Sequence, residues 1–160
     1  MNAQLQSGKY GSALAVAAAG GETEIVEFLV ENGVDVNMQL QSGRYGSALV
    51  AAAEGGNPEV IKCLLVADAI VNQHIRVGRY GNALAAAAYW GRKMCVEALV
   101  EAGAEVNCRL ENGPFTTVLQ ASRTDFSQED RKRLWWDGDV ESLKREKAEV
   151  AELLQRHGAT

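Results

Sequence analysis

The sequence predicts an all-α fold, a solenoid of about four stacked helix pairs with projecting hairpin loops. Three observations predict it. The first is a period of 35 residues: Tyr10-Gly11-Ser12-Ala13-Leu14 returns as Tyr45-Gly46-Ser47-Ala48-Leu49 and as Tyr80-Gly81-Asn82-Ala83-Leu84. A decayed fourth copy runs Phe115-Thr116-Thr117-Val118-Leu119. The second is that Val36-Asn37, Val71-Asn72 and Val106-Asn107 keep the same step, as do Leu29, Leu64 and Leu99. A fixed period of this size means an array in which each unit buries its apolar face against its neighbours. The third is that each unit holds two helical patterns separated by glycine.

Ser12, Ser47, Asn82 and Thr117 occupy one place in the period. All four are capping residues, whose side-chain oxygen satisfies a free N–H of the first helical turn. A short alanine-rich helix, 13–19 in the first copy, follows. Ala17-Ala18, Ala52-Ala53 and Ala87-Ala88 are small enough to let two helices approach closely. Gly20-Gly21 breaks that helix. In the second copy Asn57 is placed as a cap, with Pro58 at the first helical position.

The second helix carries Ile25, Val26, Phe28, Leu29 and Val30 on one face and Glu24, Glu27 and Glu31 on the other, an amphipathic pattern. Gly33, Gly103 and Gly158 are placed to end it in the left-handed region, and Asp68 stands in their position in the second copy. Val36-Asn37 then leads into a polar stretch, 38–44, that reads as a hairpin projecting from the stack.

Helix, glycine, helix, Gly-x-x-Val-Asn, hairpin: in this order the residues resemble the ankyrin repeat family. Leu14 to Asn37 follows that pattern almost position by position. The family's Thr-Pro-Leu-His is replaced by Ser12-Ala13-Leu14-Ala15 and its counterparts, and the unit is longer than the usual ~33 residues. The Tyr-Gly-[Ser/Asn]-Ala-Leu variant resembles repeat arrays of large fungal proteins. On this reading the chain is one repeat domain over 1–160, with repeats at approximately 3–37, 38–72, 73–107 and 108–160. The last repeat carries an insertion at about 124–143.

The resemblance implies a non-catalytic protein–protein interaction module with a concave recognition surface, a segment of a longer array. A structural scaffold or self-association element, stacking head to tail through open ends, is the alternative. The first copy has no polar cap, and Ile25, Val26, Phe28 and Leu29 form its apolar set. A short natural protein with an imperfect cap stays open beside the excised segment.

A net charge of −5 and a pI near 5.1 argue against nucleic acid as partner. No apolar run approaches the roughly 20 residues of a membrane span. Cys63, Cys95 and Cys108 form no CxxC pair and meet no histidine cluster. The expectation is reduced thiols, no metal, no cofactor and an intracellular, cytoplasmic setting. No phosphate-loop, H-E-x-x-H or nucleophile-elbow pattern occurs, so no catalytic residues are assigned. Asp125, Glu129 and Asp130 read as solvated charges.

The partner is expected to be an unidentified protein or peptide. Aromatic residues are enriched in interface anchors, which makes Tyr89 and Trp90 the first candidates. Glu54 takes the position of Tyr89 one repeat earlier. Packing of the Tyr89-Trp90 pair under the insertion is the competing reading. Lys9, Arg44 and Arg79 each precede a tyrosine, and His74 and Arg76 extend this basic row. The row suits an acidic partner, or each cation stacks on a tyrosine or pairs with a carboxylate. The insertion holds Phe126, Ser127 to Arg133, Trp135 and Trp136. A serine cap and acidic first turn predict a short helix at 128–136. Its tryptophans either cover the final helix pair or meet a partner.

Overall fold

The computed structural model describes residues 12–111, 113–130 and 140–160. Among them lie eight helices that form four pairs: α1 (Ala13–Gly20) with α2 (Thr23–Glu31), α3 (Ala48–Gly55) with α4 (Pro58–Val66), α5 (Ala83–Tyr89) with α6 (Lys93–Glu101), and α7 (Val118–Arg123) with α8 (Val140–Arg156). The expected caps form at each first helix. The Ser12 hydroxyl accepts from the Ala15 N–H at 3.1 Å, Ser47 from Val50 at 3.3 Å, Asn82 from Ala85 at 2.7 Å and Thr117 from Gln120 at 3.1 Å. Each bond of this kind contributes about 1 kcal/mol.

The second helices start differently. Asn57 is at the N-cap position of α4, but its side chain makes no capping bond. Its Nδ2 instead donates to the Ala18 and Ala19 carbonyls at 3.0 and 3.2 Å. The residue expected to start a helix therefore ties it to the preceding pair. After each second helix the chain bends, and one main-chain bond closes each loop: Leu40 N–H to Gly46 O, Ile75 to Gly81, and Leu110 to Thr116, at 2.9, 2.9 and 3.0 Å. An isolated antiparallel bridge joins Arg109 and Thr117.

The Val-Asn asparagines join one pair to the next. Asn37 donates from Nδ2 to the Asp68 carbonyl (2.9 Å) and accepts from the Ile70 N–H (2.7 Å). Asn72 does the same with Gly103 and Glu105, and Asn107 with Gly158 and Thr160. Each thereby satisfies both groups of the turn that ends the next second helix. Asp68 holds φ +62° there, among glycines with φ +75° to +89° at its counterparts.

First helices stack on first helices, and second helices on second helices. The inner row is almost entirely alanine where the helices touch, and Ala51, Ala52, Ala86, Ala87 and Ala121 are closed to solvent. The outer face of α1 and α2 is open: Val16, Ile25 and Phe28 are 40, 50 and 63% exposed. The counterparts of Val16 and Ile25, Ala51 and Val60, are covered by this first pair, to 0 and 1%, and Cys63, the counterpart of Phe28, is half-buried. In the last pair the insertion separates the helices. α7 ends at Arg123, which stands where the preceding repeats have alanine, residues 124–127 run across the stack, and helical structure resumes at 128–130.

Candidate functional site

The chemically distinctive part of the molecule lies where residues 124–130 cross the ends of α3 and α5. Tyr80, Tyr89, Trp90, Phe115 and Phe126 are each at most 6% exposed. Tyr89 is central: its ring centre is 5.0 Å from Phe115, 5.5 Å from Phe126 and 5.6 Å from Trp90, the last two edge to face. The Trp90 indole N–H donates to the Tyr80 hydroxyl at 2.7 Å. A polar tip is thus satisfied inside an apolar cluster, as buried tyrosine and tryptophan require.

A charged layer sits on these rings. Arg44 reaches Glu54 at 2.8 Å and donates to the Tyr80 hydroxyl at 2.9 Å. Arg79 donates to both carboxylate oxygens of Asp130, at 2.6 and 2.5 Å, with its guanidinium 5.0 Å above the Tyr89 ring. The row therefore does both things left open for it, stacking and pairing, at the two arginines. The Tyr89 hydroxyl and the Ser127 hydroxyl also donate to Asp130. Asp130 N–H returns a bond to Ser127 Oγ, and Ser127 N–H donates to Asp130, which is a capping box. Asp130 is fully buried. The reading of Asp130 as a solvated charge is corrected on this point: six donor atoms, from Arg44, Arg79, Tyr89 and Ser127, replace its water.

Titration follows from these contacts. Burial alone would raise the Asp130 carboxyl, but the bonds from Arg79, Ser127 and Tyr89 outweigh it and hold the group far below the carboxylate range. Burial pushes the Tyr89 phenol up to about 12, with Asp130 adding to the effect. Burial pulls Lys147 of α8 down to about 8, against the attraction of Asp125 and Asp130. Its ammonium lies 4.3 and 4.5 Å from the Tyr89 and Phe126 ring centres and donates to the Thr124 carbonyl at 2.5 Å. Lys147 carried no signal in the sequence beyond its place on the apolar stripe of α8.

The candidate residues thus divide. Tyr89, Trp90 and Glu54 are interior, at 1, 4 and 4% exposure. As exposed anchors they are corrected: Phe126 and Lys147 cover the rings, and Arg44 draws Glu54 inward. Arg44 and Arg79 are committed to partners within the chain. His74 and Arg76 are exposed on the loop before α5. Trp135 and Trp136, with Lys9, lie outside the described residues.

Beside the aromatic cluster the surface opens. A cleft of about 680 Å³ lies over the first two pairs, lined among others by Ala17, Ala19, Gly20, Tyr45, Gly55 and Trp90, with Glu22 and Arg92 on its rim. This size is ordinary for a ligand pocket. Among the described residues, no group of His, Cys, Asp and Glu could hold a metal, and no helix is long and apolar enough to cross a membrane. Cys63, Cys95 and Cys108 form no disulfide. Burial pushes the Cys95 thiol up to about 12.

A family model described as ankyrin repeats matches residues 13–109 in three copies. No curated protein matches the chain.

Proposed function

Because this chain belongs to the ankyrin repeat family, whose repeats are generally protein-interaction modules, we propose that it is a non-catalytic recognition module. It takes its partner on the concave side of its first two helix pairs. One observation carries this reading. Residues 126–130 seal the surface over α5, whereas the equivalent surface over α1 and α3 is left as an open cleft. A preformed cleft on stacked helices spares a partner much of the ordering cost of binding. His74 and Arg76 are exposed on the loop before α5, in a separate depression with Gln39 and Glu111, and offer a second contact for acidic groups of the same partner. Three cysteines without a disulfide suit a reducing compartment inside the cell.

Selection of a random peptide library on the folded chain tests the reading. Gly20 is exposed, and a side chain there would meet only Glu22. The selected peptides should lose at least tenfold in affinity on Gly20→Arg. Peptides that ignore Gly20→Arg but are lost on His74→Ala/Arg76→Ala would move the site to the loops.

A second reading, self-association, is favoured by the exposed Val16, Ile25 and Phe28 on the outer face of the first pair. At the other end α7 exposes Gln120 and Arg123, a polar surface that suits head-to-tail stacking poorly. Sedimentation velocity across concentration separates the two: a concentration-independent monomer removes the second.

A further inference from the structure

We propose that the end face formed by α1 and α2 is a docking surface for a basic amphipathic helix of a partner protein. The proposal goes beyond the cleft: the two surfaces meet at Val16, Glu22 and Ile25, and Phe28 belongs to the end face alone.

Ala13, Val16, Ile25 and Phe28 make the apolar centre of this face, and all four are exposed. The same positions hold Ala48, Ala51, Val60 and Cys63 in the second pair and Ala83, Ala86, Cys95 and Ala98 in the third. There a preceding helix pair packs on them, so the face is one that receives helices. The uncovered copy carries the largest side chains of the three. Valine, isoleucine and phenylalanine stand where the stacked copies have alanine, valine and cysteine, or alanine and cysteine. A pair stacking as closely as the others would meet these larger groups, because interaxial distance follows the side chains at the contact.

The rim selects the occupant. Residues 12–37 hold Glu22, Glu24, Glu27, Glu31 and Asp35 and no lysine, arginine or histidine. The four glutamates are exposed, and Glu24 and Glu31 stand one turn to either side of Phe28. The matching stretch of the second copy carries Lys62, and that of the third carries Arg92 and Lys93. Glu22 makes the requirement local. Its counterparts donate to main-chain carbonyls of the pair before them: Asn57 to Ala18 and Ala19 at 3.0 and 3.2 Å, Arg92 to Glu54 at 3.4 Å. An ionised carboxylate only accepts. A helix pair of the kind that covers α3 would bring carbonyls to Glu22, and a second copy meeting face to face would set glutamates against glutamates. A helix with lysine or arginine beside an apolar stripe suits both parts of the surface. Its cations reach Glu22 and the α2 glutamates, and its stripe covers Val16, Ile25 and Phe28.

Fluorescence anisotropy on the intact chain tests this with two labelled amphipathic peptides of about four helical turns. One has leucine on one face and lysine on the other; its twin has glutamate in place of lysine. The lysine peptide should bind about tenfold more tightly than its twin, and more weakly as salt rises. Phe28→Ala and, separately, Glu22→Lys/Glu31→Lys should each weaken it about tenfold. Glu101→Lys/Glu105→Lys makes the same change of net charge on exposed residues of the third repeat and should leave binding unchanged. Equal binding of the two peptides, or equal losses from the two charge swaps, would overturn the proposal. So would a dimer of the free chain that Phe28→Ala dissolves, because a second copy would then take the face. Library peptides lost on Gly20→Arg would still leave the cleft reading standing, since that reading does not depend on Phe28. If a variant fails to fold by circular dichroism, the comparison of the two peptides on the unaltered chain decides alone.

Discussion

Asp130 does for Arg79 what Glu54 does for Arg44. The two arginines are one repeat apart, and so are Glu54 and Tyr89. Where tyrosine has replaced the glutamate, the carboxylate arrives from the insertion 51 positions away and is held by both terminal nitrogens of Arg79. Loss of one partner from such a buried pair leaves the other charge uncompensated. Asp130→Ala should therefore destabilise by about 3 kcal/mol, a typical cost for breaking a buried pair, read by urea unfolding. A loss below about 1 kcal/mol, the range of surface pairs, would mean that the insertion is held by its rings alone.

The same pair sets an acid limit. The folded carboxyl of Asp130 titrates far below its unfolded value of about 3.9. Its contribution is present in full above that unfolded value and is lost as pH falls through the folded one. The stability difference between the wild type and Asp130→Asn should stay constant from pH 7 to 5 and shrink below about pH 4. A difference that does not change with acid would detach the stability from the carboxylate.

Lys147 moves stability in the same direction with pH, but at the alkaline end. Its folded value of about 8 lies below the ordinary lysine value of 10.5. The charged form therefore carries a burial cost below pH 8, and this cost disappears as pH rises towards the unfolded value. Relative to Lys147→Met, which does not titrate, the wild type should gain stability between about pH 8 and 10, with a slope of at most about 1.4 kcal/mol per pH unit. A flat difference would show that the ring faces and the Thr124 carbonyl offset burial completely.

Asp68→Gly should stabilise the chain by about 1 kcal/mol, the cost of a left-handed conformation in a residue with a Cβ. The three counterparts of Asp68 are already glycine at φ +75° to +89°. Thermal unfolding reads the effect. An unchanged midpoint would mean that the aspartate has compensating local bonds.

Asn72→Ala removes two bonds to the turn of the next pair and should cost about 1–2 kcal/mol. Hydrogen exchange should rise at Gly103 to Glu105. Faster exchange confined to other repeats would separate the asparagine from the joint.

Local features of the fold were legible because repetition averages out accident. Ser12 alone is a weak cap signal, but Ser47, Asn82 and Thr117 in phase with it leave little choice. Gly33, Gly103 and Gly158 marked helix ends for the same reason. The site was less legible because its contacts do not repeat. The Arg79–Asp130 pair joins a periodic residue to an aperiodic insertion, and no spacing rule links them. Asn57 misled in a similar way: its local pattern is a cap, yet two carbonyls of the preceding pair outcompete that role. The burial of Tyr89 and Trp90 depended on Phe126 and Lys147, whose approach is tertiary.

Each asparagine joint is a connector with its plug in one unit and its socket in the next. Asn37, Asn72 and Asn107 are the plugs; the turns at Asp68, Gly103 and Gly158 are the sockets. Copying residues 38–72 or 73–107 copies one of each. A unit can then be spliced in or removed without redesigning a joint, and the array can change length while its curvature is kept. In the fourth unit the insertion lengthens the period, so the plug Asn107 and its socket at Gly158 stand 51 residues apart instead of 31.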